Sequence, residues 1–237
     1  MAEPDPLQTA LDLVQSGRYA EAIDSFNLYL ESTPGSAEAH CGKGNALLGL
    51  REFLPAIESF SDAIRLNPNL EDAYKGKGDA FDHLNQYKEA IKCYNLAIGL
   101  NPTKDDIFIR KGIALRHSKR YEEAIASYDK AIELNPSNEN AHNGKGNALY
   151  RLSLFEDAIA EYSIAIELNP ENANPYYNGK ALCLRNLKRY GEAIECYDKA
   201  IELDQNDDNG YHGKAVILRT LKRYDEALSC YDKAITL

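Results

Sequence analysis

Apolar and small residues recur along this chain with helical spacing. Tyr74, Lys77, Gly78 and Phe81 fall at i, i+3, i+4 and i+7, the spacing of one helical face. Ala90, Ile91, Tyr94, Ala97 and Ile98 mark a second amphipathic helix after the short polar turn Asn85-Gln86. Asn101-Pro102 closes that second helix, because a proline disfavours helical geometry in the residue before it. Sustained period-two alternation is missing and Val and Thr are few, so no strand is predicted.

The helix pair is repeated. GKGNAL occurs at Gly42–Leu47 and again at Gly144–Leu149, and KRYEEAI, KRYGEAI and KRYDEAL begin at Lys119, Lys188 and Lys222. Pro34, Pro68, Pro102, Pro136 and Pro170 stand 34 residues apart. Seven repeats follow, over 3–36, 37–70, 71–104, 105–138, 139–172, 174–207 and 208–237. One extra residue near Ala173 shifts the sixth, and the seventh is four residues short. The expected organisation is a single array over 1–237 with no room for a separate catalytic domain. Gly44, Gly78, Gly112 and Gly146 interrupt the first helices, where glycine costs roughly 1 kcal/mol against alanine. Close helix contact opposite Ala56, Ala90, Ala124 and Ala158 is the expected reason. Ala181 and Ala215 at the same place show that the requirement is small size.

A 34-residue unit with an aromatic at place 4, small residues at places 8, 20 and 27 and Pro at place 32 resembles the tetratricopeptide repeat. The match covers essentially the whole chain. The resemblance implies an all-α fold, a right-handed α-solenoid (superhelix) of antiparallel helix pairs, whose first helices line a concave groove for a peptide or partner helix. Lys43, Lys77, Lys111, Lys145, Lys180 and Lys214 depart from the leucine frequent at place 7, and Gln205 departs from Pro.

Composition narrows the function. The chain of 237 residues carries 27 Lys+Arg against 37 Asp+Glu, a formal charge of −10, which disfavours nucleic acid and anionic membrane as partners. The start MAEPDPLQTA has no basic and apolar leader, and no apolar run nears the ~20 residues of a membrane span, so a soluble, cytoplasmic protein is expected. Five cysteines do not make a disulfide framework. Cys93, Cys196 and Cys230 share one place with Ser25, Ser59 and Ser127 and read as small packing residues. The GKG strings lack the context of a phosphate loop, and their lysines are expected to lay their stems on a helix seam with the ammonium in solvent. His83 and His117 should be neighbours near Asp79 and Asp82, but two histidines with remote carboxylates do not make a metal cage. No catalytic residue, cofactor or metal site is predicted.

Places 2, 5, 9, 12 and 13 face the groove in the resembled family. Projected here, they gather Asp72, Asp79, Asp82 and Asp106 with Lys75 in one stretch. Arg116, Arg151, Arg185 and Arg219 follow, with Arg110 one helical place away. Two explanations of the arginines stand side by side: a basic ridge for an acidic segment in repeats four to seven, or cations placed at helix C-termini by the dipole. Asn143, Asn147 and Asn178 offer donors and acceptors suited to a peptide backbone, although Asn147 also lies within a duplicated string. No window supplies the Lys/Asn/Asn/Lys/Arg set by which some family members clamp a chaperone's C-terminal carboxylate.

The seventh repeat's second helix leaves Leu228, Tyr231, Ile235 and Leu237 without a following first helix, which predicts self-association or a partner at that end. The expected function is a non-catalytic scaffold or adaptor binding a protein or peptide segment. The alternatives are an interaction module of a larger enzyme or transport complex, and a structural protein assembling through its C-terminal end.

Overall fold

The computed structural model describes residues 5–237, so the first two residues of the predicted repeat 3–36 and the start of the predicted leaderless terminus lie outside it. The described residues form helices and no strands. The first helices of the seven repeats are α1 (Pro6–Gln15), α3 (Ala37–Gly49), α5 (Glu71–His83), α7 (Asp105–His117), α9 (Glu139–Arg151), α11 (Asn174–Asn186) and α13 (Asp208–Thr220). The second helices are α2 (Tyr19–Ser32), α4 (Phe53–Leu66), α6 (Tyr87–Leu100), α8 (Tyr121–Leu134), α10 (Phe155–Leu168), α12 (Tyr190–Leu203) and α14 (Tyr224–Thr236). Contacts divide the chain into two compact units, Met1–Lys119 and Arg120–Leu237, separated in the turn between α7 and α8.

The second helices α4, α6, α8 and α10 each end just before the Asn of an Asn-Pro pair. The side chain then turns the backbone: Asn67 Oδ1 accepts from Asn69 N at 3.0 Å, and Asn101 Oδ1 from Thr103 N at 3.2 Å. In the sixth repeat, where Gln205 replaces proline, Asp204 Oδ1 accepts from Asn206 N at 3.0 Å, so the turn persists without Pro. The extra residue is absorbed at Ala173, directly before α11.

The turns inside the repeats have one geometry. Gly17, Arg51, Asn85, Lys119, Ser153, Lys188 and Lys222 all have φ between 58° and 74°. At Ser153, its N–H reaches Tyr150 O at 3.0 Å and Leu154 N–H reaches Leu149 O at 3.0 Å. This pair of bonds caps the last carbonyls of α9 and reverses the chain into α10. Six non-glycine residues are thus held in the left-handed region, at a cost of roughly 1–2 kcal/mol each.

The core is built around one aromatic ring per repeat. Phe26, Phe60, Tyr94, Tyr128, Tyr162 and Tyr197 are fully buried on the second helices. Phe60 is seated between Gly44 of its own first helix and Gly76 of the next; a Cβ at Gly44 would lie 2.7 Å from the ring. Tyr162 is seated likewise between Gly146, 2.9 Å, and Gly179, 2.6 Å, by the same measure. The first-helix glycines therefore make room for these rings, rather than for Ala56 or Ala158 as the sequence pattern suggests. The alanines are fully buried alongside. At place 8 of the sixth repeat Ala181 lies in the same buried cluster as Tyr197, so an alanine is accommodated there.

Within each unit the first helices also touch their successors: α1, α3, α5 and α7 in the N-terminal unit, α9, α11 and α13 in the C-terminal unit. Successive second helices do not. The layer of first helices is the tighter one, so each unit curves with its first helices on the inner side.

Ser153→Gly is expected to raise the free energy of unfolding by about 1 kcal/mol by relieving the positive φ, and Ser153→Val to lower it. In urea titrations, Gly179→Ala should destabilise by about 1–3 kcal/mol through collision with Tyr162. Gly99→Ala, with open space around the new methyl, should stabilise by about 0.5–1 kcal/mol.

Candidate functional site

The inner face of the N-terminal unit is charged and internally paired. Lys75 Nζ lies 2.8 Å from Asp106 Oδ2, and Lys104 Nζ lies 2.9 Å from Glu71 Oε2 and 3.2 Å from Asp72 Oδ1. Arg110 Nη1 lies 3.2 Å from Asp79 Oδ1. The Lys75 and Arg110 pairs tie α5 to α7 of the following repeat, and Lys104 bonds back to α5 from the N-cap of α7. Asp79 also accepts the Tyr94 hydroxyl at 2.8 Å. Burial pushes the Asp79 carboxyl above the ordinary range, with Arg110 and Tyr94 opposing it. Burial pushes Asp82 up as well, against His117, His83, Arg110 and Arg116. Asp82 Oδ1 and Arg116 Nε are sealed from solvent without hydrogen-bond partners.

His83 and His117 take equivalent places, each stacked on an aromatic that opens the preceding second helix. The ring centroids are 4.8 Å apart for Phe53–His83 and 5.3 Å for Tyr87–His117. Burial lowers the His117 pKa, aided by Arg116. Among the described residues no group of three or more His, Cys, Asp or Glu is placed to hold a metal ion.

The C-terminal unit presents a different inner face. None of the residues at places 2, 5, 9, 12 and 13 of α9, α11 and α13 is Asp or Glu. Arg151, Arg185 and Arg219 sit in the last turns of these helices, where a cation suits the dipole, and make no ion pair among the described residues. Asn147 Nδ2 donates to Asn143 Oδ1 at 3.2 Å, and Tyr162 OH donates to Asn147 Oδ1 at 3.0 Å. Asn178 Nδ2 donates to the buried Asp207 Oδ2 at 2.7 Å.

The place-7 lysines of this unit are not free in solvent. Lys145 Nζ bonds Glu161 Oε1 at 2.7 Å and Asp129 Oδ1 at 2.9 Å, Lys180 Nζ donates to Ser163 at 2.9 Å, and Lys214 pairs with Asp198. Burial lowers the Lys145 pKa, but its bonds to Glu161 and Asp129 outweigh that and hold it above the ordinary lysine value. His142 completes this network, with Nδ1 2.7 Å from Glu161 Oε2.

One arrangement escaped the sequence pattern: in the third and fifth repeats a place-9 side chain receives the tyrosine hydroxyl of its own second helix. Asp79 and Asn147 do so for Tyr94 and Tyr162. In the sixth repeat place 9 is Leu182, and the Tyr197 hydroxyl is buried without a partner. Burial raises the Tyr197 pKa to about 12, opposed by Arg185.

The cysteines are free, and all but Cys230 are buried. Burial raises the Cys41 and Cys183 thiols to about 12. In α14, Leu228 and Ile235 are exposed, whereas Tyr231 is half-buried with its ring 5.7 Å from His212. No helix among the described residues is long and apolar enough to cross a membrane.

Comparison with known families places matches along the chain. Models of the tetratricopeptide repeat cover residues 7–71, 71–104, 175–207 and 196–229, and a TPR repeat model covers 112–153. The chain belongs to the tetratricopeptide repeat family. No sequence among the curated proteins matches it. Solved structures share the fold. A chain of the APC/C hetero-tetramer Cut9–Hcn1 aligns with a TM-score of 0.76 at 19% identity; the alignment covers 96% of this chain and 45% of that one. The C-terminal part of a TPR repeat-containing protein from Cytophaga hutchinsonii gives 0.76 at 19% identity over 98% and 95%. YrrB, described as a TPR protein with an unusual peptide-binding site, gives 0.66 at 22% identity over 80% and 97%. In these tetratricopeptide repeats the hydroxyl pairing predicts a graded response. Tyr94→Phe and Tyr162→Phe should each cost about 1 kcal/mol in thermal or urea unfolding, whereas Tyr197→Phe should be neutral or stabilising.

Proposed function

We propose that this array is a protein-interaction scaffold whose C-terminal unit binds an acidic, extended segment of a protein partner along its inner face, without catalysing a reaction. The observation that carries the reading is the contrast between the two inner faces. In the N-terminal unit the groove-facing charges Lys75, Asp79, Asp106 and Arg110 neutralise one another across successive helices. In the C-terminal unit Arg151, Arg185 and Arg219 have no such counter-charge, although the whole chain is acidic. A dipole contribution explains a cation in each last turn and is compatible with this use. Asn143, Asn147 and Asn178 on the same helices supply amide donors and acceptors for a main chain. The peptide-binding site named for YrrB supports a peptide as the class of ligand.

Asp79 is less suited to receive a basic stretch than its position alone implies, because Arg110 and Tyr94 already occupy it. Arg116 lies in the N-terminal unit beside Asp82 and His117, so the reading rests on the other three arginines. A fluorescein-labelled peptide of alternating Glu and Ala should bind the full chain and weaken steeply with added salt, since exposed charges are screened within about 8 Å at 0.15 M. Arg185→Glu with Arg219→Glu should weaken it about tenfold or more. Unchanged affinity in the double variant would overturn the reading.

A further inference from the structure

The sixth repeat lacks the hydroxyl pairing seen for Tyr94 and Tyr162. Tyr197 is 1% exposed, so its hydroxyl has neither a protein partner nor bulk water. A buried tyrosine normally reaches a partner, and leaving the group unpaired costs about 1–3 kcal/mol. Phenylalanine fills this place in the first two repeats as Phe26 and Phe60, so packing alone does not require the hydroxyl. The hydroxyl lies where α11 meets α13: a Cβ at Gly213 would touch it.

A second unpaired atom lies on the same helix face. Asn178 and Leu182 are four residues apart on α11, with Arg185 three further on, so the three line one side. Asn178 Nδ2 is committed to Asp207 Oδ2, a carboxylate that takes only donors, which fixes the orientation of the amide. Its Oδ1 is left buried and without a partner. The sixth repeat therefore holds one spare donor, Tyr197 OH, and one spare acceptor, Asn178 Oδ1. The half-buried Arg185 stands on the same face, and its charge acts on that hydroxyl.

We infer that the sixth repeat is a register site that takes one amide group of the bound acidic segment, its carbonyl oxygen accepting from Tyr197 and its N–H donating to Asn178. An amide has one acceptor and one donor side, the complement of the two spare atoms. The inference rests on the reading of the C-terminal unit as a peptide-binding face. Arg185 is the side chain that moves aside as the amide enters, a rotamer change of the kind common at interfaces. The unpaired hydroxyl is thus a cost carried by the free protein and relieved on binding.

Three fluorescein-labelled twelve-residue probes test this by anisotropy with the full chain: alternating Glu-Ala, alternating Glu-Gln, and Glu-Ala N-methylated at every second main-chain nitrogen. Tyr197→Phe and Leu182→Asn are the variants. The first removes the donor. The second supplies an internal acceptor, as Asn147 does for Tyr162. Both should fold with wild-type or greater stability in urea, and both should weaken peptide binding about tenfold. If the amide is main-chain, Glu-Ala binds and N-methylation weakens it; if it comes from a side chain, only Glu-Gln binds strongly. Wild-type affinity for every probe in both variants, with binding still lost on Arg185→Glu and Arg219→Glu, overturns the register site and leaves the acidic-peptide reading intact. Failure of all three probes to bind the wild type overturns both.

Discussion

A single ring held between two helices that lack side chains to push it away organises this protein. Phe60 between Gly44 and Gly76, and Tyr162 between Gly146 and Gly179, set how closely one first helix approaches the next. Burying such a ring is worth roughly 1.5–3 kcal/mol, comparable with the roughly 2 kcal/mol that two mid-helix glycines cost. The glycines and the rings make sense only together. The same insertion brings the tyrosine hydroxyls through to the inner face, where Asp79 and Asn147 meet them. In the third and fifth repeats core packing and the polarity of the inner face are therefore coupled through one hydroxyl each.

The two units solve the same packing problem and differ in charge. In the N-terminal unit Lys75 answers Asp106 of the next repeat and Arg110 answers Asp79 of the one before, and the helices are tied by ion pairs that leave little net field. In the C-terminal unit the amides of Asn174 and Asn178 reach the Asp207 carboxylate ahead of α13, and the lysines are drawn down into the seam by Asp129, Glu161 and Asp198. What stays uncompensated is the row of arginines at the helix ends. A modest number of substitutions at places that packing leaves open converts a closed electrostatic surface into an open one.

The repeat, the helix pairs and the turns were legible because each follows from a local rule: helical periodicity, the Asn-Pro stop, and small residues at fixed places. The second helix read after the turn Asn85-Gln86 and closed at Asn101-Pro102 is α6, Tyr87–Leu100. The partner of the glycines was misassigned to Ala56 and its equivalents, because a pattern along the chain does not show that a ring one turn further on reaches across. Nor did it show the lysine bonds, since whether an ammonium stays in water depends on Asp129 and Glu161 lying across a seam. Tyr197 stood apart only once its hydroxyl was seen buried without a partner. Place 9 is polar in the third and fifth repeats and apolar in the fourth and sixth, which the sequence alone does not connect to a hydroxyl.

The contact pattern has a consequence for how the chain is made. Within each unit no helix touches another beyond its next-but-one neighbour in sequence. Loop-closure entropy therefore stays small, and structure of such low contact order forms quickly. A repeat leaving the ribosome finds its packing surface already present in the repeat before it. Each unit can consequently be completed in the order of synthesis, and few long-lived unpaired apolar faces await residues not yet translated.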